Sequence, residues 1–512
     1  MTRSLQSTPA PVRPWPWWRR HKTISVLLVL AVVAGGLTWW RPWERCGAGM
    51  AEADGQCVGL SLDLTPFSDD ETTIDLQQRI AAQNAQVTGD DFITVVVLNS
   101  MTPEPGSDSA ALLNVHHGVM GAIAAQQRVN TTPAVGSQTP PVKLLLANYG
   151  GRARQQAEAV EQIIAHRDEH RIVAVIGLGQ SLAETRAAAS ALSAAKIAVV
   201  SAVASADNMN RDPTTEQFIE RFYRITPTNT DAANAAVSYL RGRDYRKVML
   251  VRDDSSSDIY TQTLGDAFEV AYRNGFPGRG LSEAFFTSPS EQLEGVTRDT
   301  YLQPQFGRIY ARMCQESPEL VYFAGRGADL KAFLRAVGQG GACDGLSKID
   351  VLTSDDASSL LGEPLPEMTG TEADVYYTSV ATAGMWDGQT SEVTNQHNYR
   401  GFAEAFAATG LHDDLRDGYA MAHHDALLLA VGAARQVPNV GENTRLVADW
   451  IDNHYDCAHP LPGATGKIAY APETHGNPID KALPIMLLEP GGRIEQKAIA
   501  WTTGTPFETS CR

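Results

Sequence analysis

Along most of the chain, short runs of β-branched and apolar residues alternate with longer segments of helical spacing, and few folds accommodate that pattern. Ile93 to Leu98 (ITVVVL) reads as a strand, Ala110 to Val129 as a helix, and Val142 to Ala147 (VKLLLA) as a strand again. Helix Ala153 to His170, strand Ile172 to Ile176, helix Leu182 to Ala195 and strand Ile197 to Ser201 complete a first series. A second opens at Tyr223-Arg224-Ile225. It continues through helix Ala232 to Leu240, strand Lys247 to Val251, helix Tyr260 to Asn274, strand Leu320 to Phe323, helix Ala328 to Val337 and strand Ile349 to Leu352. From Gly370 come strand Ala373 to Val380, a long helix ending near Arg435, and closing strands Lys467 to Tyr470 and Leu483 to Leu488. Such alternation predicts βαβ units, with parallel sheets covered on both faces. Two series of this length imply two α/β lobes.

The N-terminus follows different rules. Thr23 to Trp40 holds 18 residues without a charge, close to the roughly 20 that cross a bilayer as a helix. Arg3, Arg13, Arg19, Arg20 and Lys22 precede it with no acid, which predicts a cytoplasmic N-terminus. Trp15, Trp17, Trp18, Trp39, Trp40 and Trp43 flank the run, where indole rings settle at a membrane interface. The rival is a cleaved signal peptide with Val32-Val33-Ala34 as its small-residue site. Cys46 follows Glu44-Arg45, so no lipid-anchor context is present. The net charge is −17, and the five basic tail residues put the remainder at −22. That balance argues against nucleic acid as a partner. All six cysteines (Cys46, Cys57, Cys314, Cys343, Cys457, Cys511) lie beyond the span, in a compartment that permits disulfides. Their spacing suggests pairing in order: 46 with 57, 314 with 343, 457 with 511.

Ligands bind outside the carboxyl ends of strands in such sheets, so the residues just after strands matter most. Gly177-Leu178-Gly179-Gln180-Ser181 lacks the third small residue and the downstream acid of a dinucleotide site. What remains is a glycine turn with Ser181 as N-cap and Glu184 three residues on, a capping box whose helix terminus also suits a carboxylate. No nucleophile elbow occurs, and Gly463 to Lys467 (GATGK) lacks the spacing of a phosphate loop. The pairs His116-His117 and His423-His424, with Asp425, point about 100° apart on a helix and read as surface histidines rather than metal ligands. No motif requires a cofactor, and the chain reads as a non-enzyme.

Seven strings in order carry a resemblance: VIGLGQS before a helix and IAVVSAVAS; FYRITPTNTDAANAAVSYL; DIYTQTLGDAF; ELVYFAGRGADLKAFLRAV; VLTSDDAS; GYAMAHHDALLLA; and GATGKIAYAPETHG. From Phe92 onward the chain resembles the type I periplasmic binding proteins, the leucine/isoleucine/valine receptors of ABC transporters. The resemblance implies an α/β fold of two doubly wound parallel sheets joined by a three-strand hinge, here after one transmembrane helix. The implied organisation is a tail (1–22), a span (23–40), an extracytoplasmic stalk (41–91), lobe 1 (92–221 and 370–463) and lobe 2 (222–369 and 464–512). It also implies hinge crossovers near Arg211 to Phe222, Asp355 to Thr369 and Leu461 to Gly466.

Carried over position by position, Ser181 would meet a ligand carboxylate, Ala204 and Ser205 would supply a carbonyl and a hydroxyl, and Tyr260 would open a lobe-2 helix against the ligand. Asp355 or Asp356 would pair with a ligand ammonium, unless both are turn and N-cap residues before Ala357. Where the family commonly has two glycines and an aromatic residue, this chain has Ala324-Gly325-Arg326. Arg326 would either bind a second carboxylate or a phosphate, or be a solvated surface arginine. The function implied is a membrane-anchored receptor that closes around an amino-acid-like solute for an ABC permease. The alternative is a sensing or interaction ectodomain that signals through a membrane partner.

Overall fold

The computed structural model describes residues 46–503 apart from 105–110, 256, 290–295, 342, 344, 387–397 and 480. The expected span (23–40) and Cys511 lie outside them. No helix among the described residues is long and apolar enough to cross a membrane. The chain divides after Cys46, and both sheets belong to the unit that begins at Gly47.

In chain order the elements begin with β1 (Met50–Ala53), β2 (Gln56–Ser61), α1 (Glu71–Gln86), β3 (Ile93–Asn99), α2 (Leu112–Thr131), β4 (Val142–Asn148), α3 (Gln156–Ala165), β5 (Ile172–Gly177), α4 (Ala183–Ala194), β6 (Ala198–Ser201) and β7 (Phe222–Arg224). Next come α5 (Asn229–Arg241), β8 (Val248–Asp253), α6 (Ile259–Gly275), β9 (Leu281–Phe286), α7 (Arg298–Glu316), β10 (Leu320–Ala324), α8 (Gly327–Gln339), β11 (Lys348–Thr353) and β12 (Glu372–Thr378). The chain closes with α9 (Tyr399–Ala408), α10 (Tyr419–Ala434), α11 (Val447–His454), β13 (Leu461–Gly463), β14 (Gly466–Ile468), β15 (Ala482–Leu488) and β16 (Ile494–Trp501).

Two seven-stranded sheets result, ordered β1-β2-β4-β3-β5-β6-β7 and β16-β15-β12-β11-β10-β8-β9, each parallel except that β2 in the first and β15 in the second, next to one edge, run against their neighbours. Strand β3 shows why its middle, Val95 to Leu98, is uniformly apolar. Val95 and Val97 pack with Ile123 of α2 and Leu427 of α10, while Val96 and Leu98 pack with Val160 of α3 and Leu192 of α4. Each such side chain contributes roughly 1.5–3 kcal/mol on burial. Helix α10 is buried at every position from Ala420 to Ala434. It lies so close to α2 that a Cβ on Gly121 would sit 2.0 Å from the Ala420 carbonyl oxygen.

Several expectations need correction. Residues 47–91 are no stalk: β1 and β2 extend the first sheet, and α1 buries Leu76 and Ile80 in the first core. Strand β7 pairs with β6 and so ends lobe 1 instead of opening lobe 2. Strand β12 pairs with β11 in the second sheet, although the expected boundary puts it in lobe 1. The crossovers between sheets therefore fall after Arg224, after Thr378 and between β14 and β15, not at the three segments expected from the resemblance. His116, His117, His423 and His424 are buried rather than on a helix surface, because α2 and α10 face each other and His116 is covered by Asp70 and Thr73 at the start of α1. Cys314 and Cys343 form a disulfide with Cα atoms 5.3 Å apart, and Cys46, Cys57 and Cys457 are also disulfide-bonded.

Candidate functional site

Loops at the carboxyl ends of β5 and β6 meet those of β8, β10 and β11, and every residue singled out after these strands lies in or beside this meeting point. Gly177 and Gly179 (φ 96° and 55°) turn the chain after β5, and a Cβ on Gly179 would come 2.3 Å from Asn99 Oδ1. The turn leaves Ser181 buried. Its hydroxyl accepts the Ala206 N–H (3.0 Å), and α4 starts at Ala183 with Leu182 as an N-cap that makes no side-chain bond. The expected capping box is thus absent, since the helix starts too late for Ser181 to reach its first turn. The Ala204 carbonyl, expected to face a ligand, accepts from Arg224 Nη1 (3.2 Å). Arg224 is fully buried and also donates to Ala206 O (2.9 Å), so it shapes the loop after β6 from below.

Ser205 reaches across the lobes, donating to Asp355 Oδ2 at 3.0 Å and approaching Oδ1 at 3.2 Å. Asp355 also accepts from Tyr260 OH (3.2 Å) and Ser354 Oγ (3.0 Å). Burial, and then the neighbouring Asp356 charge, push its carboxyl up to about 6 despite these hydroxyls. Burial beside Asp355 and Asp356 likewise holds the Tyr260 phenol well above its ordinary value.

Arg326 is buried, not solvated. Nε and Nη2 grip Asp258 at 2.8 and 2.9 Å, Nη1 donates to Asp356 at 3.1 Å, and Nη2 donates across the lobes to Ser181 O at 2.9 Å. The guanidinium stands 4.4 Å from the Tyr260 ring centroid. Burial works against its charge, but Asp258 and Asp356 outweigh that and raise its pKa. Asp356 also accepts the Gly327 N–H at the start of α8 (2.7 Å). The two adjacent acids are thereby separated: Asp356 serves the arginine and a helix terminus, while Asp355 accepts, among the described residues, only from hydroxyls.

Three contributors have no counterpart among the expected site residues. Asp258, the N-cap of α6, accepts the Tyr260 N–H (3.0 Å), and only its position before a helical segment could have signalled it. Arg224 gives no local signal. Tyr419, opening α10 after Gly418 (φ 82°), has its phenol raised by burial and then by Asp356 and Asp355, which places lobe 1 beside the same carboxylates.

A second buried carboxylate lies elsewhere. Asp425 accepts backbone N–H bonds from Ala464 and Thr465 (2.8 Å each) and the Thr465 hydroxyl (2.7 Å), with His424 Nδ1 at 2.9 Å. Lys481 donates to Thr465 O and Oγ1 (2.8 Å each). Burial would raise Asp425, yet His424, the Thr465 N–H and Lys481 bring it below its ordinary value. The GATGK segment is therefore a β-turn that wraps a carboxylate, not a phosphate.

The family described as "Receptor family ligand binding region" matches residues 119–277, less than half of the chain. No curated protein sequence matches it. Among solved structures, an ABC transporter substrate-binding protein from Desulfitobacterium hafniense in complex with Leu is 17% identical, covering 80% of this chain and 100% of its own, with a TM-score of 0.56. The Streptococcus pneumoniae branched-chain amino acid transporter substrate-binding protein LivJ, in complex with isoleucine, is 16% identical (80% and 99% covered, TM-score 0.54). A solute-binding protein of an ABC transporter from Rhodopseudomonas palustris, in complex with p-hydroxybenzoic acid, is 16% identical (80% and 98% covered, TM-score 0.57). The fold is thus the two-lobed type I periplasmic binding protein fold.

Proposed function

We propose that the chain is an extracytoplasmic solute-binding protein, held at the membrane by residues 23–40. In this reading its lobes close around a small ligand bearing an ammonium group, an amino acid or a related compound, for an ABC-type importer. The observation that carries it is Asp355: a carboxylate at the junction of the lobes, raised to about 6, bonded to three hydroxyls and to no Lys or Arg among the described residues. A buried carboxylate in that condition gains most from a cation. Ser205, Tyr260 and Asp355 would surround the ammonium, and the Ser181 hydroxyl, whose proton is uncommitted by the Ala206 bond, would donate to a ligand carboxylate. Ala204 would act through the shape of its loop. Arg326, already on two acids, would set the width of the pocket and favour ligands whose anionic group can compete for it. Opening about the three crossovers would admit ligand, and contacts from both lobes would then stabilise the closed form.

The fold is one used by solute receptors in solved complexes, and binding rather than catalysis is the reading for this chain. The receptor-type family match favours a second outcome, in which the same closure signals to a membrane partner. Calorimetric titration of the full chain with the common amino acids, simple amines and 4-hydroxybenzoate tests the ligand class. Binding of an amino acid or amine that Asp355→Asn abolishes supports the proposal. Binding of 4-hydroxybenzoate alone, unaffected by that change, contradicts it.

A further inference from the structure

Remote from the lobe junction, the described residues bring three ligating atoms of one short segment together. His166, Glu169 and His170 follow the end of α3 and precede β5, and their ligating atoms all lie within 4.8 Å of one another. The backbone holds this arrangement, because the His170 N–H donates to the His166 carbonyl (3.0 Å) in a helix-like turn that puts both imidazoles on one face. The rings stand edge to face with centroids 5.7 Å apart. His166 Nδ1 is buried without a hydrogen-bond partner, and a Glu169 carboxylate oxygen stands 3.5 Å away. Glu169 is 74% exposed, so its carboxylate is free to swing the remaining distance.

We infer that His166, Glu169 and His170 form a binding site for a divalent transition cation of the zinc class. Two imidazoles and a carboxylate are the donor set that such an ion takes, and three protein ligands leave a position for water or for a group from another molecule. Glu169 and Lys143 both lie close enough to His170 to act on it electrostatically. Lys143 is the cation that opposes metal binding here, while Arg167 is engaged by Asp168 at 2.8 Å. The site stands at the start of β5, whereas Ser181 follows its end, so the metal does not touch the proposed solute site and clamps the connection from α3 to β5 instead.

The test is zinc titration of the untagged full chain against a chromogenic chelator at pH 7.5, with cobalt absorption as a second readout. The expected result is one ion per chain at micromolar concentrations. His166→Ala and His170→Ala should each weaken binding at least tenfold without changing the melting temperature of the metal-free protein, and Glu169→Gln should weaken it less. His459→Ala, at a separate pair where His454 and His459 stack 6.5 Å apart, should leave it unchanged. Solute binding in the same protein should not respond to zinc. Absence of zinc binding, or binding that survives the double substitution of His166 and His170, would overturn the proposal and leave the solute-binding reading intact.

Discussion

Asp355 and Asp425 are both acids taken out of water beside hydroxyls, yet they end on opposite sides of their ordinary pKa. Asp425 receives two backbone N–H groups in fixed positions, a threonine hydroxyl and an adjacent histidine, with Lys481 nearby, and its carboxylate is held ionised. Among the described residues, Asp355 receives only side-chain hydroxyls, one of them from the opposite lobe, and Arg326 is engaged by Asp258 and Asp356. Backbone donors come at no cost of reorganisation, whereas hydroxyls that rotate can turn to other partners. One chain thus holds two buried carboxylates in opposite states by what donates to them, more than by how deeply they lie.

Replacing each acid tests the contrast. Asp425→Ala should cost roughly 3–5 kcal/mol of stability, because it strands Lys481 and the two N–H groups of the β13–β14 turn, and urea unfolding would measure this. If stability stayed within about 1 kcal/mol, Asp425 would not hold the turn. Asp355→Asn should leave the ligand-free protein equally or more stable above pH 6. The sign follows from linkage: with a folded-state pKa of about 6 against 3.8 for an ordinary Asp, the folded form binds the extra proton, so the group's effect is unfavourable as pH rises through that window and persists above it. The same variant should lose at least a hundredfold in affinity for an ammonium ligand, measured by calorimetry. Ser205→Ala should have the smallest effect, about 1 kcal/mol or five- to tenfold in affinity, since one neutral hydroxyl contributes about that much. An effect as large as that of Asp355→Asn would mean that Ser205, not the carboxylate, is the principal contact.

Central strands are legible in the sequence because burial on both faces favours apolar residues: β3, β5 and β6 are buried throughout and mostly apolar. Edge strands are not. In β16 (IEQKAIAW) only two residues are buried, β1 (MAEA) has two exposed residues of four, and β2 beside it is interrupted by Gly59. Helix α7 escapes a reading by pattern because Pro304 signals a breaker, yet Leu302, Phe306, Ile309, Tyr310 and Met313 anchor one face firmly enough to carry it. Strand β7 is visible as a strand but not as a member of the first sheet, since three residues carry no record of which neighbour they pair with.

At the candidate site, the family resemblance singles out Ser205, Tyr260 and the Asp355-Asp356 pair, and the departure from its glycine pair singles out Arg326. Which of Asp355 and Asp356 is neutralised depends on where Arg326 turns, and Asp258, Arg224 and Tyr419 enter only through contacts between segments distant in the chain. Ala204 does lie beside the site, but its carbonyl is claimed by an arginine that no local pattern announces.

With Asp355 as the cation-binding group, the most direct measurement is titration calorimetry of an amino-acid ligand from pH 4.5 to 8. The ligand's own ammonium and carboxylate do not titrate in that range, so the protein alone sets the profile. Affinity should be constant above about pH 6.5 and fall about tenfold per unit below pH 6, as the proton on Asp355 competes with the ligand. A flat profile across the whole range, or one with the same slope in Asp355→Asn, would contradict it.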